Sequence, residues 1–415
     1  QLEIQKVSNQ PDEKAFLEAC REAHKAVIAS PGTEEFRKWG TMGGYVYSDA
    51  SGDLPTKNWR SNSWGKGQQI FDHYYENNFQ HSHGCYRGCT VQCGRILQVP
   101  QGPWRTPSHE GGEYESMAAF TAFCMNEDVD AAVYASWLCN EYGLDTISAG
   151  ACLAFLFDCA EKKLLSSEEE PAWGKAEIFP EMLRKIAFRE GLGDFLARGV
   201  RRMAEELGEE AREMAVHGKG LEGPAHDPRS GKSLGLSYAT GNRGMCHIHP
   251  VEAKAWDADK QDFGLLPWGL RNPEEVDPWE ESLKGKDVKL LQDAGTLPEL
   301  FCTCKFYQYV GVTLDHYAAM LRGSTGWEIS PEELLEMGER AVNLQRLFNF
   351  RQGMTPEADS LPSRVLSLPE FGRYAEEPRC IIRDLPGMLR EYYVARGWHE
   401  KEGKPLESTL ARLGL

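Results

Sequence analysis

Three cysteines stand at a repeat of four in the stretch HSHGCYRGCTVQCGR, residues 81–95: Cys85, Cys89 and Cys93. They lie among His, Gly, Arg, Thr and Gln, whereas a cysteine that only packs behaves as a small hydrophobe and sits among Leu, Ile and Val. Thiolates spaced this way reach one another and suit a metal centre, whose fourth ligand must then come from far along the chain. This constrains the fold strongly, because two distant segments have to meet at one point. Candidates for the distant thiol are Cys246, Cys302, Cys304 and Cys380. Cys302 and Cys304 are two apart in LPELFCTCKFYQ, so in an extended segment one faces the partner thiols and the other points into the core. A structural zinc site is the alternative to iron and sulfur, but its short-spaced pairs would normally recur as two knuckles.

The rest of the chain reads as helix. DEKAFLEACREAHKAVIAS, DVDAAVYASWLCNEYG, TISAGACLAFLFDCAEKKLL, FPEMLRKIAFREG, LGDFLARGVRRMAEELG, SPEELLEMGERAVNLQRLFNFRQG and LPGMLREYYVARGW all repeat apolar residues near 3.6. Pro331 after Ser330, with Glu332 and Glu333 in the first turn, marks a helix start, and Gly353 after Arg351 marks its end. Strand signals are few and short, GYVYS and RILQVP being the clearest. The polar, glycine-rich stretch from 217 to 250 cannot be helix throughout and reads as a binding loop at a domain junction. The expected architecture is mainly α: two helical domains, 1–218 and 219–415, with a cofactor cleft between them and few short strands.

A net charge of −17 disfavours nucleic acid and acidic membrane surfaces, which need a cationic face. One local concentration, Arg184, Lys185, Arg189, Arg198, Arg201 and Arg202, reads as a solvated helical face, with a dock for an acidic electron carrier as the alternative. No apolar run reaches the roughly 18 residues of a membrane span, and the start, QLEIQKVSNQPDEKAF, lacks a signal-peptide layout; a cytoplasmic location is expected. There, twelve cysteines argue for reduced thiols rather than disulfides. Cys20, Cys139, Cys152 and Cys159 lie in apolar helical patterns and read as core.

ELFCTCKF, residues 299–306, resembles the second pterin-binding motif of the tungsten-dependent aldehyde ferredoxin oxidoreductase family, and NEYGLDTISAG, residues 140–150, resembles the first. GGEYES at 111–116, LPTKNW at 54–59, HDPR at 226–229, YATGNRGMCH at 238–247 and the closing LARLGL also fit, in order, from Gly40 to the last residue. The resemblance implies a 4Fe-4S cluster held by Cys85, Cys89, Cys93 and Cys304, and a tungsten bis-pterin (molybdopterin) cofactor bound through Asn140, Gly143, Leu144, Asp145, Glu299 and Lys305. It also implies Glu115 as general base beside the metal, with Glu113 as the other candidate, and His247 as hydrogen-bond donor to the substrate oxygen, with His249 as its rival. A plainer reading of either glutamate is a helix N-terminal charge.

The sequence departs from the family pattern in three ways. The cysteines run C-x3-C-x3-C where two residues usually separate the first pair, so the loop at Tyr86 to Gly88 must differ, and Asn140 stands where aspartate is usual. The chain also begins where family members finish an N-terminal β-rich domain covering much of the pterin, so that domain is expected either earlier in a longer protein or as a separate chain in trans. The implied activity is oxidation of a small aldehyde to a carboxylate, with electrons passed to ferredoxin or an Fe-S electron-transfer subunit; self-association is left open. The alternatives are a non-catalytic 4Fe-4S electron-transfer or scaffold module, and an aromatic acyl-CoA reductase subunit of the same family. The second is disfavoured because GGEYES holds no cysteine and Cys124, further on, reads as core.

Overall fold

The computed structural model describes residues 11–165 and 170–415; the opening ten residues of the segment weighed above as a signal peptide lie outside them. Among the described residues there are nineteen α-helices and two small antiparallel sheets, one of three strands and one of two, which is the mainly α architecture expected. No described helix is long and apolar enough to cross a membrane.

Several helices begin where short polar side chains satisfy the first free N–H groups. Asp12, Asp128, Asp145 and Asp384 each accept from a backbone N–H three residues on, opening Glu13–Ala29, Val129–Tyr142, Thr146–Glu161 and Leu385–Arg396. Ser330 and Glu333 cap one another at the start of Pro331–Arg351, with Pro331 in the first turn. Gly353, past its end, takes the left-handed φ of 92° expected of a terminating glycine.

Three local expectations fail for identifiable reasons. GYVYS is not a strand but part of the helix Gly44–Ser51, whose buried residues Tyr45, Ser48 and Asp49 follow helical spacing. The reading of 192–208 as one helix breaks into Leu192–Leu196 and Val200–Leu207, because Gly199 sits at φ 83° and the Glu222 carboxylate accepts from Val200 N at 2.8 Å. The third is a helix that periodicity missed, Lys284–Leu300, which holds Gly285, Gly295 and Pro298. Its glycines serve contact: a Cβ on Gly285 would lie 2.5 Å from Tyr392 N, and one on Gly295 2.6 Å from Pro250 O.

Packing brings the ends of the chain together. Helix Glu13–Ala29 lies against Leu314–Thr325, and Lys284–Leu300 packs between Pro331–Arg351 and Leu385–Arg396. Contacts therefore cross residue 218. The glycine-rich stretch opens with the hairpin His217–Gly218 and Leu221–Glu222 and includes the buried helix Lys232–Thr240, which leaves 223–231 and 241–250 as loops.

Candidate functional site

The cysteine triad occupies the turn of a hairpin. β1, Phe79–His83, pairs with β2, Gly94–Leu97, so that His83 faces Gly94, and the ten residues between them carry all three thiols. A turn from Cys89 N to Tyr86 O at 3.1 Å and the left-handed Gly88, φ 90°, fold the extra residue of the first spacing. Arg95 anchors the base of this loop, donating through Nη2 to Phe36 O at 2.5 Å and to Arg37 O at 3.2 Å in the last turn of helix Pro31–Trp39. That turn is where a cation is favoured by the helix dipole.

Cys304 arrives from the other end of the chain, just after Lys284–Leu300. Its sulfur shares an electrostatic field with Cys85 and Cys89, as Cys93 does with Cys85, Cys89 and Cys304. Burial pushes the Cys93 thiol up to about 12, and Glu113 and the other thiols add to the rise. Cys304 is also raised by burial, while the backbone N–H groups of Phe306 and Tyr307 favour its thiolate. The hydroxyls of Tyr86 and Tyr307 hydrogen bond, joining the two segments, and Phe306 packs tilted against Phe36 of helix Pro31–Trp39 at 4.6 Å. Of the paired cysteines it is Cys304 that faces the triad. Cys302 is exposed and does not enter the core as expected, because its left-handed backbone, φ 54°, turns it outward. Cys246 stands apart, its sulfur accepting from Arg243 at 3.2 Å, and Cys124, Cys139, Cys152, Cys159 and Cys380 are buried.

A second centre forms where the loops at 225 and 247 meet the helix Tyr114–Phe120. Ala225 N–H donates to Glu115 Oε2 at 2.7 Å, and Tyr114 OH donates to Ala225 O at 2.6 Å. Glu115 Oε1 is buried without a hydrogen bond, 3.4 Å from His247 Nε2 and 3.6 Å from His226 Nε2. Burial lifts the Glu115 carboxyl to about 7 against the pull of the His226 charge and the Ala225 N–H. His226 is the residue that sequence reasoning missed. HDPR had marked its position, but not its role, which depends on Asp53 from 173 positions earlier accepting from Nδ1 at 2.7 Å. Burial alone would lower His226; Glu252 and Asp53 overcome it and raise the imidazolium to about 9. Burial and the charges of His226, Arg243, Lys254 and Lys305 hold His247 well below its ordinary value, hence neutral, and its Nδ1 is buried and unpartnered.

The other expected residues lie as follows. Glu113 turns away from His247: it accepts from Thr41 Oγ1 and is raised by burial. His249 is occupied by Glu299, Nδ1 to Oε1 at 2.7 Å, and Lys305 reaches the same oxygen at 2.6 Å; burial opposes these contacts, but they keep the Glu299 carboxyl low. Lys305 is itself tied to Pro250 O at 2.7 Å and Gly295 O at 3.0 Å. Asn140 is exposed and donates to Glu110 O at 3.0 Å; Gly143 ends its helix at φ 67° with open space at its Cβ; Leu144 is half-buried; Asp145 caps the next helix through Ser148 N at 2.7 Å. The basic residues of 184–202 are largely neutralised: Arg184 pairs with Glu181 and Glu190, and Arg189 and Arg198 with Asp194, as a solvated face would.

The profile of the family described as "Aldehyde ferredoxin oxidoreductase, domains 2 & 3" matches residues 18–415. A tungsten-containing aldehyde ferredoxin oxidoreductase of Thermococcus kodakarensis is 35% identical over 89% of this chain and 59% of its own length. That of Pyrococcus furiosus is 37% identical over 80% of this chain and 52% of its own length. This chain thus spans under two thirds of these relatives. In structure it resembles the solved "Active site complex BamBC of Benzoyl Coenzyme A reductase in complex with 1,5 Dienoyl-CoA", with a TM-score of 0.74, 20% identity, and coverage of 98% of this chain and 65% of that one; at that identity the likeness speaks for the fold. The chain belongs to the aldehyde ferredoxin oxidoreductase family, whose tungsten-named members are enzymes, and corresponds to its second and third domains.

Proposed function

We propose that this chain is the cluster-bearing, acid–base portion of a tungsten-pterin oxidoreductase that converts a small aldehyde to its carboxylate and passes the electrons to ferredoxin or a similar carrier. The observation that carries the reading is the meeting of Cys304 with the 85–93 loop beside a separate glutamate–histidine centre. Four soft thiolates suit iron. The backbone N–H groups of Phe306 and Tyr307 that favour the Cys304 thiolate suit a ligand to such a cluster. Asn140, Gly143, Leu144, Asp145, Glu299 and Lys305 would hold the pterins in a cleft between 1–218 and 219–415; the open space over Gly143 and the carboxylates of Asp145 and Glu299 suit the amide-like edge of a pterin.

When bound, the tungsten-pterin supplies oxygen transfer and two-electron chemistry. The overall change, RCHO + H2O → RCOO⁻ + 3H⁺ + 2e⁻, leaves the protein the protons and the orientation of the carbonyl. Glu115 near neutrality is half ionised, and its unpartnered Oε1 takes a proton from water while the Ala225 N–H holds Oε2 still. Neutral His247 donates from a ring N–H to the carbonyl oxygen without repelling the developing acid. Cys124 donates to Ala119 O and Gly150 O deep in the core, and so offers no ligand for the ring-reducing alternative.

Elemental analysis of anaerobically purified protein, with its visible spectrum, tests the reading. About four iron with tungsten supports it; zinc alone ends it. Cys304→Ala should bleach the cluster while Cys302→Ala keeps it, and equal iron loss in both would mean that the wrong thiol has been assigned.

A further inference from the structure

The buried Glu115 Oε1 is anomalous. A carboxylate oxygen shielded from water ordinarily accepts a hydrogen bond, yet this one lies between two ring nitrogens at 3.4 Å and 3.6 Å and bonds to neither. All three donor atoms fall within 4.8 Å of one another. These are the distances of a coordination sphere. Zinc bonds of about 2.0–2.2 Å to imidazole and carboxylate separate tetrahedral ligands by about 3.3–3.5 Å. We propose that Glu115, His226 and His247 form a mononuclear divalent-cation site of the zinc type, with its fourth position open.

The surroundings support the assignment independently of the distances. A metal-bound histidine usually gives its other ring N–H to a carboxylate, which fixes the tautomer. His226 does this, with Nδ1 2.7 Å from Asp53 Oδ2, and on binding the ion it releases the Nε2 proton of its imidazolium to solvent. Tyr114 stacks on the same ring at 4.9 Å and 20°, fixing its plane, and Glu115 Oε2 is pinned by Ala225 N–H. The groups facing His226 are Asp53, Glu115, Glu252, His247, Tyr114 and, through Asp53, Lys254; the three carboxylates favour a cation there. The ligand side chains are 16%, 12% and 13% exposed. The inference rests on this geometry alone and stands whichever reaction the chain serves. For the proposed reaction it has one consequence: a bound ion takes the Glu115 Oε1 lone pair that would accept the proton, so zinc inhibits.

Co2+ is the probe, added to the chain as purified, and its bands are read as the difference from the same preparation without Co2+. Imidazole and carboxylate ligands give tetrahedral visible bands without the near-ultraviolet charge transfer that marks thiolate binding, so cysteine sites are told apart. The expected result is one such Co2+, displaced by Zn2+, absent from Glu115→Gln and His226→Ala, present in the surface variant His73→Ala, and weakened about 10–100-fold in Asp53→Asn. Glu115→Gln is isosteric and keeps the result readable should His226→Ala fold poorly. Co2+ binding by the wild type no greater than by Glu115→Gln, or binding seen only with thiolate charge transfer, overturns the site. Neither outcome bears on whether iron and tungsten are present.

Discussion

Asp359→Asn is the sharpest test of how the loops that carry His226 and His247 are held. The carboxylate receives Arg346 through both Nη atoms, at 2.9 Å and 2.5 Å, the Tyr393 hydroxyl at 2.6 Å, and Lys219 Nζ at 3.1 Å. Arg346 and Asp359 are fully buried as side chains, and Lys219 is 11% exposed. One group thus ties the helix Pro331–Arg351, the helix Leu385–Arg396 and the hairpin that opens the glycine-rich stretch. An amide keeps one acceptor, but turns an NH2 toward donors and leaves two cations without a counter-charge. Stranding one buried charge costs about 3–5 kcal/mol. Lys219 retains Ala239 O, and Arg346 retains Gly403 O and the face of Trp398 at 4.8 Å, so the loss stays within that range. Against a total stability of about 5–15 kcal/mol the variant should still fold, with a clearly lowered urea midpoint and an unchanged m value. Replacing both partners by apolar residues, Arg346→Met with Asp359→Leu, should recover much of the loss. A loss under about 1 kcal/mol for Asp359→Asn, the range of a solvated pair, would refute the reasoning.

Two further outcomes follow from the same packing. Burial would raise the Asp359 carboxyl, but the Arg346 hydrogen bonds and the Lys219 charge hold it below its ordinary 3.8, so the unfolded chain binds more protons in acid. The contribution is therefore present above about pH 4 and lost as pH falls through the depressed native value; urea titrations should show the gap between wild type and Asp359→Asn closing in acid, and a constant gap would contradict the assignment. In Gly338→Ala the new Cβ would sit 2.0 Å from Asp293 O, at the crossing with Lys284–Leu300, and should cost about 1–3 kcal/mol or more. Gly44→Ala, with nothing within 4 Å, should be neutral or stabilising by urea unfolding, and equal effects of the two would discount the contact.

The helical architecture was legible because it is written locally. The caps Asp12, Asp128, Asp145, Ser330 and Asp384 and the 3.6-residue spacing act within a few residues of themselves, so the sequence alone marks these five helix starts. The cysteine triad likewise pointed to a metal centre from composition and spacing, and the family motifs singled out Cys304, Glu115 and His247. What failed was decided by distant contact. Gly285, Gly295 and Pro298 argue against helix until the backbones of Tyr392 and Pro250 press on the same segment and reward the missing side chains. Gly199 divides a helix only because Glu222 is there to receive the freed N–H. His226 was quoted within a motif yet left without a role, since its charge comes from Asp53 and Glu252, and its partner Oε1 belongs to Glu115. Sequence determined which residues could bear chemistry and where the capped helices begin; only the tertiary structure decided which of those residues share a field, because electrostatics acts through space and not along the chain.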